Sequence, residues 1–225
     1  MKVPIKAGSS CLHRPHACLI DVYQTMVSCD FNSHRTELPE LAQVPGQLWN
    51  AAFEDLAPWI NDGRLSMAAA FSHIIEQAGK VPEPALIARL VRRDYELLVE
   101  TGVLHDDVVP FLVELRARGL KSAILSNCAH STRDLLVAHG LVPLVDAVIL
   151  SCEIRSSKPS PGAFLTAVNR LGVEPGSALF VDDQAANCEA ASALGMMAVR
   201  IARGQAAGPG AIASLSELGS LLWTG

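Results

Sequence analysis

A chain of 225 residues, half of them hydrophobic and only 18% charged, can bury a substantial core and lacks the composition of a disordered protein. Its formal net charge of −5 and the lack of any Lys/Arg run exclude a general attraction to nucleic acid or to an anionic membrane surface. No apolar stretch approaches the roughly 20 residues that span a bilayer.

The opening, MKVPIKAGSSCLHRPHACLI, holds no apolar run long enough for a signal peptide. It is expected to be a frayed tail leading into a first strand, which makes a cytoplasmic setting the default. The six cysteines, Cys11, Cys18, Cys29, Cys128, Cys152 and Cys188, have no close-pair spacing and read as reduced, small buried groups. Cys11, His13, His16 and Cys18 can be drawn as a zinc set. Their spacings depart from the finger pattern, however, and Cys18 falls in the first strand, so no zinc is expected.

Four short runs rich in Val, Ile and Leu predict buried parallel strands: ACLIDV (17–22), KSAILSN (121–127), DAVILS (146–151) and SALFVDD (177–183). MAVRI (197–201) makes a fifth. Helical periodicity separates them in DDVVPFLVELRARGL, STRDLLVAHGL and SPGAFLTAVNRLGV, closing at Gly119, Gly140 and Gly172. Strands and helices alternating in this way predict a doubly wound α/β sheet.

Residues 31–107 break the pattern. They contain no convincing strand and four helical segments, TELPELAQV, GQLWNAAFEDLAPWI, SMAAAFSHIIEQAG and PALIARLVRRDYELLVET. Ser66 is placed to cap the third. So long an interval is no loop, and a helical bundle inserted after the first strand is expected. The predicted organisation is a core from 1–30 and 108–225 with a helical cap at 31–107. ARGQAAGPGAIAS near the end reads as a loose connection to a final helix.

The predicted strands deliver polar side chains to one sheet edge. Asp21 ends the first, Ser126 and Asn127 the second, and Asp182 and Asp183 the fourth, while Lys158 lies in the loop SSKPSPGAF after the third. Each alone is ordinary turn or cap chemistry. Together, three acids suit a hard cation such as Mg²⁺ through oxygen ligands. The cation and a lysine neutralise a phosphoryl group, and Asp21 can then attack phosphorus.

This order resembles the haloacid dehalogenase superfamily. DVYQT is similar to its first motif, AILSN to the second, SSKPSPGAF to the third and LFVDDQAANCEAASALGM to the fourth. The resemblance implies a Rossmann-like core with an inserted cap and a Mg²⁺-dependent phosphatase that acts on a small-molecule phosphate ester through an aspartyl-phosphate. It makes Asp21 the nucleophile. It gives Ser126 and Asn127 the transferring group, and Lys158 the phosphoryl oxygens and the nucleophile. The metal falls to Asp21, the Tyr23 backbone carbonyl, Asp183 and Asp182. A looser likeness, through CDFNSHRTEL and NDGRLS, points to a sugar-phosphate subgroup active on glucose 1-phosphate. A monomer or homodimer is expected.

Position 23 departs from the family. Tyr23 stands where most of these phosphatases carry a second Asp as general acid and base, and Gln24 replaces the usual Gly. A lost acid/base group costs about 10²–10⁴ in rate. The enzyme is then slow, confined to good leaving groups, or supplied with an acid by substrate or cap. Metal-free 2-haloacid dehalogenases of the superfamily also carry Asp-x-Tyr, but VDDQ places excess negative charge beside an anionic substrate. A receiver module has the acids in a different order and no insert. A catalytically impaired protein that keeps the fold is the third alternative. His34, Arg35, Trp49, Trp59, Arg64 and Tyr95 are candidates to line the cleft, with Arg35 favoured for an anion and the two tryptophans for bundle core. Cys128 adjoins the second motif but has no histidine partner in sequence to make it a nucleophile.

Overall fold

The computed structural model describes residues 15–204 and 210–223. Its centre is a six-stranded parallel sheet of β1 (Ala17–Ile20), β4 (Lys121–Ser126), β5 (Ala147–Leu150), β6 (Ala178–Asp182), β7 (Met197–Ile201) and β8 (Ala211–Ile212), in the order β5-β4-β1-β6-β7-β8. Side chains alternate across it with the period of two that a strand imposes. Cys18 and Ile20, Ile124, Leu179 and Val181 face one core, while Ala17 and Leu19, Ala123 and Leu125, Ala178 and Phe180 face the other. Burial on both faces is why these strands read as continuous apolar runs.

The first face is covered by α5 (Val108–Ala117), α6 (Ser131–Ala138) and α10 (Leu215–Trp223), the second by α8 (Pro161–Leu171) and α9 (Ala185–Ala193). Gly172 closes α8 in the left-handed conformation, φ 64°, returning its N–H to the Asn169 and Val168 carbonyls, as its position predicts. A four-residue helix, α7 (Ser151–Ile154), follows β5.

Between β1 and α5 lie four helices, α1 (Asn32–Ala42), α2 (Gly46–Asn61), α3 (Met67–Gln77) and α4 (Pro84–Thr101), with a core of their own around Leu38, Trp49, Phe71, Ile74, Leu90 and Leu97. The Ser66 hydroxyl accepts the Ala69 N–H at 3.2 Å, the predicted cap of α3. Trp49 stacks on Phe71 with centroids 5.3 Å apart, as expected of bundle core. Trp59 does not: it is 48% exposed, with the Arg64 guanidinium 3.9 Å above its ring. It directly precedes buried Ile60 and so points about 100° around α2 from the buried face, a placement that residue type alone does not reveal.

Three short strands also depart from expectation. β2 (Val27–Ser28) and β3 (Val103–Leu104) pair antiparallel at the root of the helical insert, so the interval 31–107 does contain a strand. β8 lies in the segment read as a loose connection. Two residues are too few to show a period. At the near end, Cys18 is buried in β1 as expected and His16 is exposed, whereas Cys11 and His13 lie outside the described residues. The described cysteines are free thiols. Among the described residues no helix is long and apolar enough to cross a membrane.

Candidate active site

From β1 the chain leaves towards β4 on one side and later returns to β6 on the other. A crevice therefore opens beyond the carboxyl end of β1, where ligands bind in such sheets. Register sets what meets there. Ile20 is level with Ile124 and Val181, so Asp21 emerges beside Leu125 and Asp182. The Asp21 N–H still bonds the Val181 carbonyl at 2.9 Å, which fixes the root of its side chain.

Lys158 joins these strand ends. Its ammonium donates to Asp21 Oδ1 at 2.5 Å, to Asp182 Oδ2 at 2.7 Å and to the Leu125 carbonyl at 2.8 Å. Asp21, Lys158 and Asp182 are all buried. Burial would discharge the lysine, but the two carboxylates outweigh it and hold its pKa above the ordinary value. Asp21 is pushed the other way. Burial lifts its pKa to about 7, opposed by Lys158 and reinforced by Asp182 and Asp183. Asp183 is half-buried and raised as well, by burial and then by Asp182.

One oxygen from each of Asp21, Asp182 and Asp183 falls within 4.8 Å of the others. Three acids against one ammonium leave the buried site over-negative. That donor set of hard oxygens with excess charge fits a divalent cation such as Mg²⁺. Asp182 is the most constrained, since its oxygens also accept the Gln184 N–H at 2.8 Å and the Asn187 amide at 3.1 Å to each. Ser126 Oγ is buried and has no hydrogen-bond partner, a polar atom awaiting a ligand group at the end of β4.

The other predicted residues have less expected surroundings. The Asn127 side chain clamps the Lys158 backbone, donating to its carbonyl at 2.6 Å and accepting its N–H at 2.7 Å. This side chain thereby positions the lysine loop. Tyr23 turns its hydroxyl to Thr132 Oγ1 at 2.7 Å, and burial drives the phenol pKa far above its ordinary value, so it is no proton donor at neutral pH. Gln24 takes φ 58°, the left-handed region where glycine is favoured. Cys128 is buried with its pKa raised by contact with Cys152 and by burial, so it supplies no thiolate.

A cavity of about 330 Å³ opens beside this edge, between the sheet and α1–α4. Tyr23, Asn127 and Cys128 line it from below; His34, Arg35 and Trp49 line it from above. Arg35 keeps 61% of its side chain exposed and pairs with Glu54 at 3.9 Å, and so stands at the rim. Trp59 and Arg64 lie elsewhere, around a surface groove, and Tyr95 borders a neighbouring cavity.

Several functional partners are invisible in the sequence pattern. Asn187 sits on the first turn of α9, five residues after Asp182, and that spacing within DDQAAN is the one signal that could mark it. Arg203 donates to the Thr25 carbonyl at 2.8 and 3.0 Å and to Asp107 at 2.8 Å, which anchors the turn after Asp21 from 178 residues away. Nothing local marks it.

Residues 15–195 match the model of the haloacid dehalogenase-like hydrolases. The chain belongs to that family. Over 137 residues, 60% of this chain and 59% of the relative, it is 34% identical to a glyceraldehyde 3-phosphate phosphatase of Methanopyrus kandleri. The chain spans about three fifths of the length of the curated relatives it matches first. Among solved folds, it is similar to a magnesium complex of a haloacid dehalogenase family enzyme from Bacteroides thetaiotaomicron, with TM-score 0.67, 20% identity, and coverage of 86% of this chain and 96% of that one. It is also similar to L-2-haloacid dehalogenase of Xanthobacter autotrophicus with chloropropionic acid covalently bound, with TM-score 0.60, 25% identity, and coverage of 85% and 79%. The segments that resemble the four motifs of this family lie along the sheet edge just described.

Proposed function

We propose that this hydrolase is a Mg²⁺-dependent phosphatase that acts on a small phosphate ester through an aspartyl-phosphate. The observation that carries the reading is the Lys158 ammonium held between Asp21 and Asp182, with Asp183 and the unpartnered Ser126 hydroxyl beside them. Asp21, Asp182, Asp183 and the Tyr23 backbone carbonyl would hold the cation. Bound there, Mg²⁺ offsets the excess negative charge and draws electron density from a phosphoryl oxygen. Ser126 and the Asn127 backbone bind the remaining phosphoryl oxygens, and Lys158 orients Asp21 for attack.

In the first step an Asp21 oxygen bonds to phosphorus, the ester P–O bond breaks, and the departing alkoxide takes a proton from water to leave as the alcohol. In the second, water adds to phosphorus and gives up a proton to solvent, the Asp21–phosphorus bond breaks, and phosphate leaves with Asp21 restored. Tyr23 supplies neither proton transfer, since its hydroxyl is committed to Thr132. Good leaving groups are accordingly favoured. Helices α1–α4 act as the cap, and their cavity receives the alcohol.

A dehalogenase is the second reading, favoured by Tyr23 and by the likeness to the haloacid dehalogenase. Unbalanced acid at Asp182 and Asp183 counts against it, because that chemistry brings an anionic substrate and no cation. The test is phosphate release from p-nitrophenyl phosphate with and without Mg²⁺. Mg²⁺-dependent release that is lost in Asp21→Asn is expected; chloride release from 2-chloropropionate in its place overturns the phosphatase.

A further inference from the structure

The cavity above the sheet edge has an unusual charge balance. Its wall is largely apolar, with aromatic rings from Tyr23, Phe31, Trp49 and Phe53. Three charged side chains reach it, Arg35, Glu54 and Asp94. The first two pair with each other at the rim. Asp94, on α4, is left over: the residue is 8% exposed, and no hydrogen bond to its carboxylate is formed among the described residues.

His34 does not neutralise it. Its Nε2 donates to the Asp94 backbone carbonyl at 3.1 Å and lies 3.8 Å from the carboxylate. Burial lowers the His34 pKa, so the ring is neutral at pH 7 and above. A carboxylate held in apolar surroundings with no hydrogen bond among the described residues is expensive, and burial pushes Asp94 up to about 7. A cation seated beside it would reverse that shift.

We propose that the leaving group of the substrate is an amino alcohol with an apolar body, its ammonium seated against the Asp94 carboxylate inside this cavity. The proposal rests on the phosphatase reading and adds the substrate class to it. A volume of about 330 Å³ is at the small end of ligand clefts and suits an alcohol of modest size. A sugar fits the wall poorly. Its hydroxyls need fixed polar partners on all sides, whereas the Asn127 amide is held by Lys158 and the Asn50 amide by the Arg35 carbonyl, which leaves only Asn61, Ser131 and His34 Nδ1 on a largely apolar wall.

The experiment compares phosphate release, with Mg²⁺ at pH 7.5, from 2-amino-3-phenylpropyl phosphate, its deaminated analogue 3-phenylpropyl phosphate, glucose 1-phosphate and p-nitrophenyl phosphate. A charge-assisted hydrogen bond predicts a kcat/KM ratio of about tenfold or more for the amine over its deaminated analogue, with the sugar phosphate below both. In Asp94→Asn the ratio within that one protein falls towards one, and Asp94→Glu keeps part of it. A wild-type ratio of one or less, or the same ratio in Asp94→Asn, overturns the assignment. The wild-type comparison decides even if a variant folds poorly. If p-nitrophenyl phosphate is hydrolysed and the amine is not preferred, only the substrate class fails. If no ester is hydrolysed, the phosphatase reading fails and this assignment with it.

Discussion

Replacing Asp21, the proposed nucleophile, by Asn is expected to stabilise the metal-free protein. Asp21 ordinarily titrates at 3.8 and is raised to about 7 in the fold. A carboxyl whose folded pKa is raised costs the native state stability progressively as the pH rises from the unfolded pKa to the folded one, with the full cost present above the folded pKa. From 3.8 to about 7, at ~1.36 kcal/mol per pH unit, the charged form at pH 8 costs about 4 kcal/mol relative to the protonated one. Asn is a neutral mimic of the protonated acid and can still accept from Lys158. Relaxation around the charge reduces the gain, so Asp21→Asn should be more stable by at least about 2 kcal/mol at pH 8, some 4–8 °C in Tm for a chain this long. The assay is thermal and urea unfolding of both proteins in EDTA at pH 8, 7, 6 and 5. The variant-minus-wild-type difference isolates Asp21 from Asp94, His34 and His105, which also carry shifted pKa values. It should shrink by ~1.4 kcal/mol per pH unit below 7, and saturating Mg²⁺ should erase it by stabilising the wild type. A variant no more stable than wild type at pH 8, or a difference flat from pH 8 to 5, refutes the reasoning.

Asn187→Ala removes the amide shared by both Asp182 oxygens and should cost about 1–3 kcal/mol in urea unfolding; an unchanged midpoint would show that Lys158 and Gln184 suffice. Gly63→Ala should destabilise by about 2–5 kcal/mol in the same assay, because a Cβ at φ +70° would lie 1.9 Å from the Cys152 carbonyl oxygen, where the α2–α3 turn rests on α7. Tyr23→Asp restores an acid two residues after the nucleophile. It should raise kcat on alkyl phosphates by about tenfold or more while changing p-nitrophenyl phosphate little, since only the poor leaving group needs a proton; equal effects on both would place the slow step elsewhere. Arg35→Ala should raise KM for an anionic substrate by about two- to fivefold, the small effect of an exposed rim charge, and an unchanged KM would remove Arg35 from the binding path.

The parts legible in the sequence were those whose cause is local. β1, β4, β5 and β6 were readable because burial on two faces demands unbroken apolar runs, and α3 because Ser66 caps it. The convergence of Asp21, Ser126 and Asp182 followed from strand ends sharing one edge, and the register then brings Asp21 level with Asp182. β2, β3 and β8 were not legible, because a two-residue strand exists only through its partner or the sheet edge it joins. Trp59 was misjudged for the same reason, its place depending on which side of α2 meets the bundle.

The site shows where local legibility ends. Chemistry needs a residue type at a strand end, and type and strand end are both written locally. Precision needs partners, and these come from anywhere: Asn127 holds the Lys158 backbone across 31 residues, Tyr23 is silenced by Thr132 across 109, and Arg203 braces Thr25 across 178. Tyr23 is the sharpest case. The sequence shows that the family's acid is missing; only the fold shows that the phenol cannot replace it, because its one hydroxyl is spent on α6 and burial drives its pKa further up. A proton for a poor leaving group must then come from water or from the substrate itself. An ammonium seated near Asp94 would lie on that same leaving-group side, so the feature that selects the substrate and the missing acid bear on one step.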